Sequence, residues 1–122
     1  MMQTKPGLLE KFYGKTIDKF VYDTDYLEFL FSDGEVLTGT AWGDCCSVTW
    51  IESIDLPGVI TGELVKIENI SMPIPEYNEK AYEYLEFYGI RITTTSGIAI
   101  VDFRNESNGY YSGAIEWSNG GK

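Results

Sequence analysis

The sequence contains no histidine, and its two cysteines are adjacent, at positions 45 and 46. Without histidine, neither a Ser-His-Asp triad nor a Cys-His pair can form, and metal sites with imidazole ligands are excluded. Adjacent cysteines rarely bridge each other because the ring they close is strained, and the chain offers no third cysteine. We therefore expect reduced thiols, no bound metal, no cofactor and no enzymatic activity.

Basic residues are missing from residues 23–63, a stretch that contains nine carboxylates and no lysine or arginine. The whole chain has 19 acidic and 9 basic residues, for a net charge of −10. Such a field repels phosphate backbones, so direct binding to nucleic acid is not expected. It attracts proteins with a basic surface, although acidity also keeps a small domain soluble without any partner.

Long apolar runs are absent as well. No segment approaches the roughly 20 apolar residues of a membrane span, and residues 1–6 lack the hydrophobic stretch of a signal peptide. We expect a cytoplasmic protein that does not contact membranes. With 122 residues and no linker-like stretch, the chain predicts one domain over residues 1–122.

Alternating apolar and polar residues predict a mainly β fold, an antiparallel meander that forms a small barrel or half-sandwich. Residues 1–14 form a helical N-terminal segment, with one short helix between Pro6 and Gly14, and residues 118–122 form a flexible tail. The predicted strands cover residues 16–22, 26–32, 35–42, 48–54, 63–71, 84–95, 98–104 and 110–117.

Three short polar pairs predict the tight turns: Asp33-Gly34, Ser96-Gly97 and Asn108-Gly109. Asn and Gly supply the positive φ of such turns, so Asn108-Gly109 predicts a hairpin between residues 98–104 and 110–117. Ile115 and Trp117 are expected in the core. Within residues 84–95 the apolar face changes parity at Gly89, which predicts a β-bulge or a sharp bend there.

The candidate site nearest to chemistry is Asp44-Cys45-Cys46, directly after the strand that ends at Trp42. One thiol could act as a nucleophile, but no general base is present and the acidic surroundings disfavour thiolate. Both thiols could bind a soft metal, but neighbours on an extended chain point to opposite faces. In the third interpretation one cysteine fills the core while its neighbour or Asp44 closes a turn.

Other candidate binding residues are polar or aromatic. Asn108 forms the turn before Tyr110, an expected exposed contact residue, and Trp42 precedes the cysteines. Glu28 and Glu35 are the exposed carboxylates that we expect to face a partner.

Three segments resemble a family. Gly43 to Ser47 (GDCCS) followed by Trp50 to Ile54 (WIESI) resembles the central motif of a small domain family of unknown function found in bacteriophages and their bacterial hosts. Glu106 to Ser112 (ESNGYYS) resembles its second motif, and the likeness covers about residues 16–117. It implies an accessory protein of a phage or integrated element, and it implies no activity or functional residues.

Two functions remain open from the sequence. The first is a non-enzymatic acidic module that binds a host or defence protein with a basic surface. The second is a small-ligand or nucleotide-binding protein that uses Trp42, Cys45 and Tyr110. A cleft containing Arg91 and Arg104 would favour the ligand, because phosphates need basic residues.

Overall fold

The computed structural model describes residues 4–43, 47–73, 85–106 and 113–120. These residues form strands and two short 3-10 helices, Leu9–Phe12 and Pro57–Val59. The mainly antiparallel β fold predicted from the sequence is confirmed, and the N-terminal helix is a single 3-10 turn. The strands are β1 (Thr16–Tyr22), β2 (Tyr26–Phe31), β3 (Val36–Gly43), β4 (Val48–Asp55), β5 (Gly62–Ser71), β6 (Leu85–Thr94), β7 (Gly97–Glu106) and β8 (Gly113–Asn119).

All of these strands belong to one antiparallel sheet in the order β4-β7-β6-β5-β1-β2-β3-β8. We call β1, β2, β3 and β8 the first half-sheet, and β4, β5, β6 and β7 the second half-sheet. The halves are joined where Thr16 pairs with Glu63 and Ile17 pairs with Gly62. Within the described residues β4 and β8 do not pair, so the sheet is not closed.

The chain crosses between the half-sheets twice, from β3 to β4 and from β7 to β8. β7 pairs with β4 and β6, while β8 pairs with β3. The predicted hairpin between β7 and β8 is therefore wrong. Both edges of β7 are already paired. On β3, Gly39 has no side chain, which leaves room for the side chains of β8. A Cβ on Gly39 would lie 2.7 Å from Ile115 and 2.9 Å from Trp117. The Asn108-Gly109 turn itself lies outside the described residues.

One face of each half-sheet lines the core. Because side chains alternate along a strand, every second residue is buried in β2 and along most of β7. The N-terminal 3-10 helix adds Phe12, whose ring stacks on Phe31 at 5.2 Å between centroids. Burial of such a side chain stabilises the fold by about 1.5–3 kcal/mol. The expected burial of Ile115 and Trp117 is confirmed. Other buried residues include Leu27, Phe29, Leu37, Ile51, Leu64, Ile90, Ile92, Val101 and Phe103.

β6 has no bulge at Gly89, which contradicts the first of the two predicted geometries. Its pairing with β7 is continuous from Leu85 to Thr94, and Tyr88, Ile90, Ile92 and Thr94 lie on its inner face. The apparent change of parity arises because Leu85 and Phe87 are apolar residues on the outer face, where the Arg104 guanidinium lies 4.9 Å from the Phe87 ring centroid. Gly89 is needed for space, since a Cβ there would lie 2.5 Å from the Met72 sulfur.

A tyrosine covers part of the edge that β5 exposes beyond its short contact with β1. The Tyr13 hydroxyl donates to the Ile67 carbonyl at 3.2 Å and accepts from the Ile67 amide at 3.1 Å. A side chain thereby satisfies backbone groups that a neighbouring strand would otherwise bind. Covering an open edge in this way also disfavours pairing with another chain.

Candidate functional site

The two sequence motifs are attached to the same end of the sheet. The first connects Gly43, the last residue of β3, to Val48, the first of β4. The second connects Glu106, at the end of β7, to Gly113, at the start of β8. Gly43 pairs with Gly113, and Val48 pairs with Glu106. The flanks of both motifs therefore lie side by side, where the chain crosses between the half-sheets.

A buried polar pair lies beneath these flanks. The Asn105 side chain is fully buried, and its amide nitrogen donates to the Thr49 hydroxyl at 2.8 Å. Asn105 and Thr49 are register partners on the inner faces of β7 and β4. Within the described residues, Asn105 Oδ1 accepts no hydrogen bond, although it is buried. Such an atom costs about 1–3 kcal/mol when it stays unsatisfied.

Glycines bring the backbones of β3 and β8 against this pair. A Cβ on Gly113 would lie 2.1 Å from Thr49 Oγ1 and 2.8 Å from Asn105 Nδ2. A Cβ on Gly43 would lie 2.6 Å from Ser47 Oγ and 2.9 Å from Thr49 Oγ1. At the end where the motifs attach, the backbones of β3 and β8 therefore lie close to the second half-sheet, over a small polar cluster.

Tyr88 extends the polar cluster toward β6. Its ring stacks on Phe103 at 5.0 Å between centroids, and its hydroxyl donates to Glu86 Oε2 at 2.8 Å. Burial, and after it the hydrogen bond to Glu86, raises the pKa of Tyr88 to about 12, against an opposing contribution from the Gly113 backbone. The phenol therefore stays protonated at neutral pH and donates rather than acts as a base.

The predicted site residues that the structure describes do not form one site. Trp42 is half-buried, precedes Gly43 and pairs with Ala114, so it lies at the motif end. Glu28 lies in the middle of β2, where the Thr38 hydroxyl donates to it at 3.2 Å. Glu35 lies at the opposite end of β3, seven residues or about 24 Å from Trp42. Five others, Asp44, Cys45, Cys46, Asn108 and Tyr110, lie outside the described residues.

Sequence reasoning missed Asn105, Thr49 and Tyr88 as members of a cluster. Asn105 continues the inward-facing series that includes Val101 and Phe103 on β7. A polar residue in phase with a buried apolar series is therefore a usable signal. The contact between Gly113 and Thr49 has no such signal, because it depends on which half-sheet β8 joins.

The described carboxylates of residues 23–63 lie at both ends and in the middle of the first half-sheet, on β4 and at the start of β5. A subset is held together, because the Ile51 amide donates to the Thr24 carbonyl at 2.8 Å. This bond brings the turn between β1 and β2 against β4. We call the exposed carboxylates of this turn and of β4 the acidic edge: Asp23, Asp25, Glu52 and Asp55.

The acidic edge is only partly neutralised. Glu52 Oε1 lies 3.7 Å from Arg104 and accepts a hydrogen bond from the Trp50 indole at 2.9 Å. Within the described residues, Asp23, Asp25 and Asp55 have no basic side chain at salt-bridge distance. At the opposite end of the half-sheet, by contrast, Lys15 bonds to Asp33 and lowers the pKa of that carboxyl.

Neither candidate arginine contributes to an open basic cleft. Arg91 and Arg104 lie on the outer face of the second half-sheet, opposite in parity to its buried residues. Arg91 bonds to Glu68 at 3.0 Å, which lowers the pKa of Glu68 and raises that of Arg91. Arg104 lies 3.3 Å from Asp102. Both positive charges are already compensated by carboxylates.

Among the described residues, no group of three or more acidic or cysteine side chains is arranged to hold a metal ion. In the same part of the chain, no helix has the length and apolar character needed to cross a membrane.

Fold and site define a class: an antiparallel β domain with an open sheet, a polar cluster at one end and an acidic edge. The chain belongs to the family described as Domain of unknown function (DUF7448), whose model matches residues 10–117. No curated protein and no solved structure matches it.

Proposed function

We propose that this protein is a non-enzymatic binding module that presents its acidic edge to a basic surface of a host or defence protein. The proposal rests on three exposed carboxylates, Asp23, Asp25 and Asp55, which have no basic side chain at salt-bridge distance among the described residues. They lie on the turn and the strand that the bond between Ile51 and Thr24 holds together. An accessory role in a phage or mobile element is the context that the two sequence motifs favour. A cytoplasmic location would fit a partner of this kind.

Charge complementarity acts mainly on the rate of association, because long-range attraction steers the two proteins together. It is screened by salt, with a Debye length of about 8 Å at physiological ionic strength. Binding through the acidic edge should therefore be fast at low salt and slower at high salt. A contact that depended on apolar packing alone would lack this dependence.

The test compares two double variants with the same charge. Asp25→Lys with Asp55→Lys alters the acidic edge, and Glu10→Lys with Glu63→Lys alters exposed positions elsewhere. Each changes the net charge from −10 to −6, since every replacement adds two units. Asp23 is left unchanged because its Oδ1 accepts from the amides of Asp25 and Tyr26.

The partner is captured from host lysate with the wild-type protein, and its association rate is then measured at low and high salt. We expect the acidic-edge variant to slow association by about tenfold at low salt, and the control by much less. Equal rates for both variants, or binding indifferent to salt, would reject the acidic edge.

One observation favours a second candidate, a small-ligand binder at the motif end. Buried Asn105 Oδ1 has no donor within the described residues, so a ligand N–H or O–H could satisfy it. The close approach of Gly113 and the compensated arginines count against a phosphate-bearing ligand. Native mass spectrometry of the purified protein tests this candidate: a bound small molecule that is lost in Asn105→Ala would support it.

A further inference from the structure

Among the described residues, β1 has an edge that is unpaired along most of its length. Asp23 N donates to Tyr26 O at 2.9 Å, and alternation from this bond directs the backbone groups of Val21 and Lys19 toward β2. The amide and carbonyl groups of Phe20 and Tyr22 must then point to the other side. On that side the described pairing with β5 ends at Ile17. The open edge covers residues 18–22, about 17 Å.

A groove runs beside this edge. It has a volume of about 340 Å³ and lies between β1 and the segment of residues 57–61. Its apolar lining includes Phe20, Tyr22, Pro57 and Ile60, with the first two rings stacked at 5.9 Å between centroids. Tyr22 is 44% exposed, so the groove opens to solvent. Unpaired backbone groups beside an apolar wall are the two features that strand addition requires.

The charges around the groove are mostly negative. Asp18 lines it. Asp23 directly follows β1, which forms one side of the groove, and Asp55 precedes the segment of residues 57–61, which forms the other side. Lys19 is the basic residue in its lining. Within the described part of the chain, none of the three carboxylates has a salt-bridge partner. An occupant with basic side chains is therefore favoured over a neutral or acidic one.

We propose that this groove binds an extended basic segment of the partner protein, which adds as a short strand to the edge of β1 at Phe20 and Tyr22. The inference rests on the proposed function and names the form of the partner's contact. Main-chain hydrogen bonds to the two residues supply affinity. The apolar rings pack against the side chains of the partner segment that point into the groove. The three carboxylates select Lys or Arg at the positions between those side chains.

The experiment titrates the ¹⁵N-labelled protein with a blocked Lys-Val-Lys-Val-Lys pentapeptide and records amide chemical shifts. A Ser-Val-Ser-Val-Ser peptide of the same length is the matched control. We expect shifts at Phe20, Tyr22 and Thr61, slower amide exchange at the first two, and weaker binding of the serine peptide at low salt. N-methylation of the lysine peptide's backbone should abolish these effects with the wild-type protein, without relying on any variant.

A protein variant gives an independent measurement. Tyr22→Pro removes an amide that has no partner in the sheet, and proline is tolerated at a strand edge of this kind. Both Tyr22→Pro and Tyr22→Thr lose the ring, but only Tyr22→Thr keeps the amide. Tyr22→Pro should therefore bind the lysine peptide about fivefold more weakly than Tyr22→Thr, the effect of one hydrogen bond. Undiminished binding of the N-methylated peptide, or no shift at Phe20 and Tyr22, would overturn the proposal.

The outcomes also separate this inference from the function on which it rests. A lysine peptide could shift the amide resonances of Asp23, Asp25 and Glu52 but not those of Phe20 or Tyr22. That result would overturn the proposed binding in the groove and would remain consistent with binding at the acidic edge. Equal affinity of the lysine and serine peptides at low salt would overturn the basic class of partner and count against the acidic edge as well.

Discussion

The side-chain amide of Asn105 donates a hydrogen bond of 2.8 Å to the hydroxyl of Thr49, across the register pair that joins β7 to β4. Asn105 is fully buried and Thr49 nearly so, hence neither can exchange this bond for one with water. The pair lies where β8 and the end of β3 approach the second half-sheet. It therefore links the packing of the core to the strand ends that hold both motifs.

Loss of the Thr49 hydroxyl should destabilise the protein more than loss of its methyl group. Thr49→Val removes the acceptor of the Asn105 amide and leaves a buried donor unsatisfied, at a cost of about 1–3 kcal/mol. Thr49→Ser keeps the hydroxyl and removes one methyl group, at a cost of about 1 kcal/mol. Urea denaturation of the three proteins measures the difference. A Thr49→Val protein as stable as the wild type would contradict the assigned bond.

An added methyl group at Gly113 should be poorly tolerated. The Cβ of Gly113→Ala would lie 2.1 Å from Thr49 Oγ1, so either the side chain or β8 must move, at a cost of about 1–3 kcal/mol. Gly58→Ala is the control, because no atom lies within 4 Å of its Cβ position. Thermal denaturation should show a clear loss for the first variant and almost none for the second. Equal melting temperatures would contradict the close approach of the half-sheets.

Strand positions were predictable from the sequence because their signal is local. The alternation in Tyr26 to Phe31 and the turn at Asp33-Gly34 depend on neighbours in the chain, and β2 and β3 form as expected. The partner of β8 depends on long-range packing, in which Gly39 accommodates the Trp117 ring. A turn motif such as Asn108-Gly109 cannot encode that choice.

In the candidate site too, features that depend on chain neighbours could be predicted from the sequence, and features that depend on long-range contacts could not. Trp42 could be placed beside the first motif from the sequence alone, because it is adjacent to it. The acidic edge could not be defined, since only the bond between Ile51 and Thr24 selects which of the nine carboxylates lie together. The charge distribution along the chain leads to the hypothesis of a basic partner, and the fold decides which carboxylates share one part of the surface.

The Tyr13 hydroxyl should stabilise the open edge of β5. Tyr13→Phe deletes one oxygen and leaves the Ile67 amide and carbonyl without their partner, which should cost about 1–2 kcal/mol. Tyr22→Phe is the matched control, since the structure gives its hydroxyl no hydrogen bond among the described residues. Amide hydrogen exchange should also accelerate at Ile67 in the first variant. Unchanged exchange there would show that water replaces the phenol without loss.

Tyr88 predicts how the stability of the protein depends on alkaline pH. Its pKa in the folded state is about 12, above the usual value of 10.0, because burial and Glu86 disfavour the phenolate. In the unfolded chain the phenol loses its proton near the usual value, so above that pH ionisation lowers the free energy of the unfolded state relative to that of the folded state. The contribution of Tyr88 is thus fully present below about pH 10 and is lost as the pH rises toward 12.

Two measurements check this dependence. The difference in phenolate absorbance between the wild type and Tyr88→Phe should show one tyrosine that titrates later than the others. Urea unfolding at pH 9 and pH 11 should show a larger loss of stability in the wild type than in Tyr88→Phe, because only the wild type has the shifted group. Glu86→Gln removes the carboxylate and should lower the pKa of Tyr88 while leaving the part due to burial. If Tyr88 titrates with the exposed tyrosines instead, then its hydroxyl is not held against Glu86 beneath the ends of the two motifs.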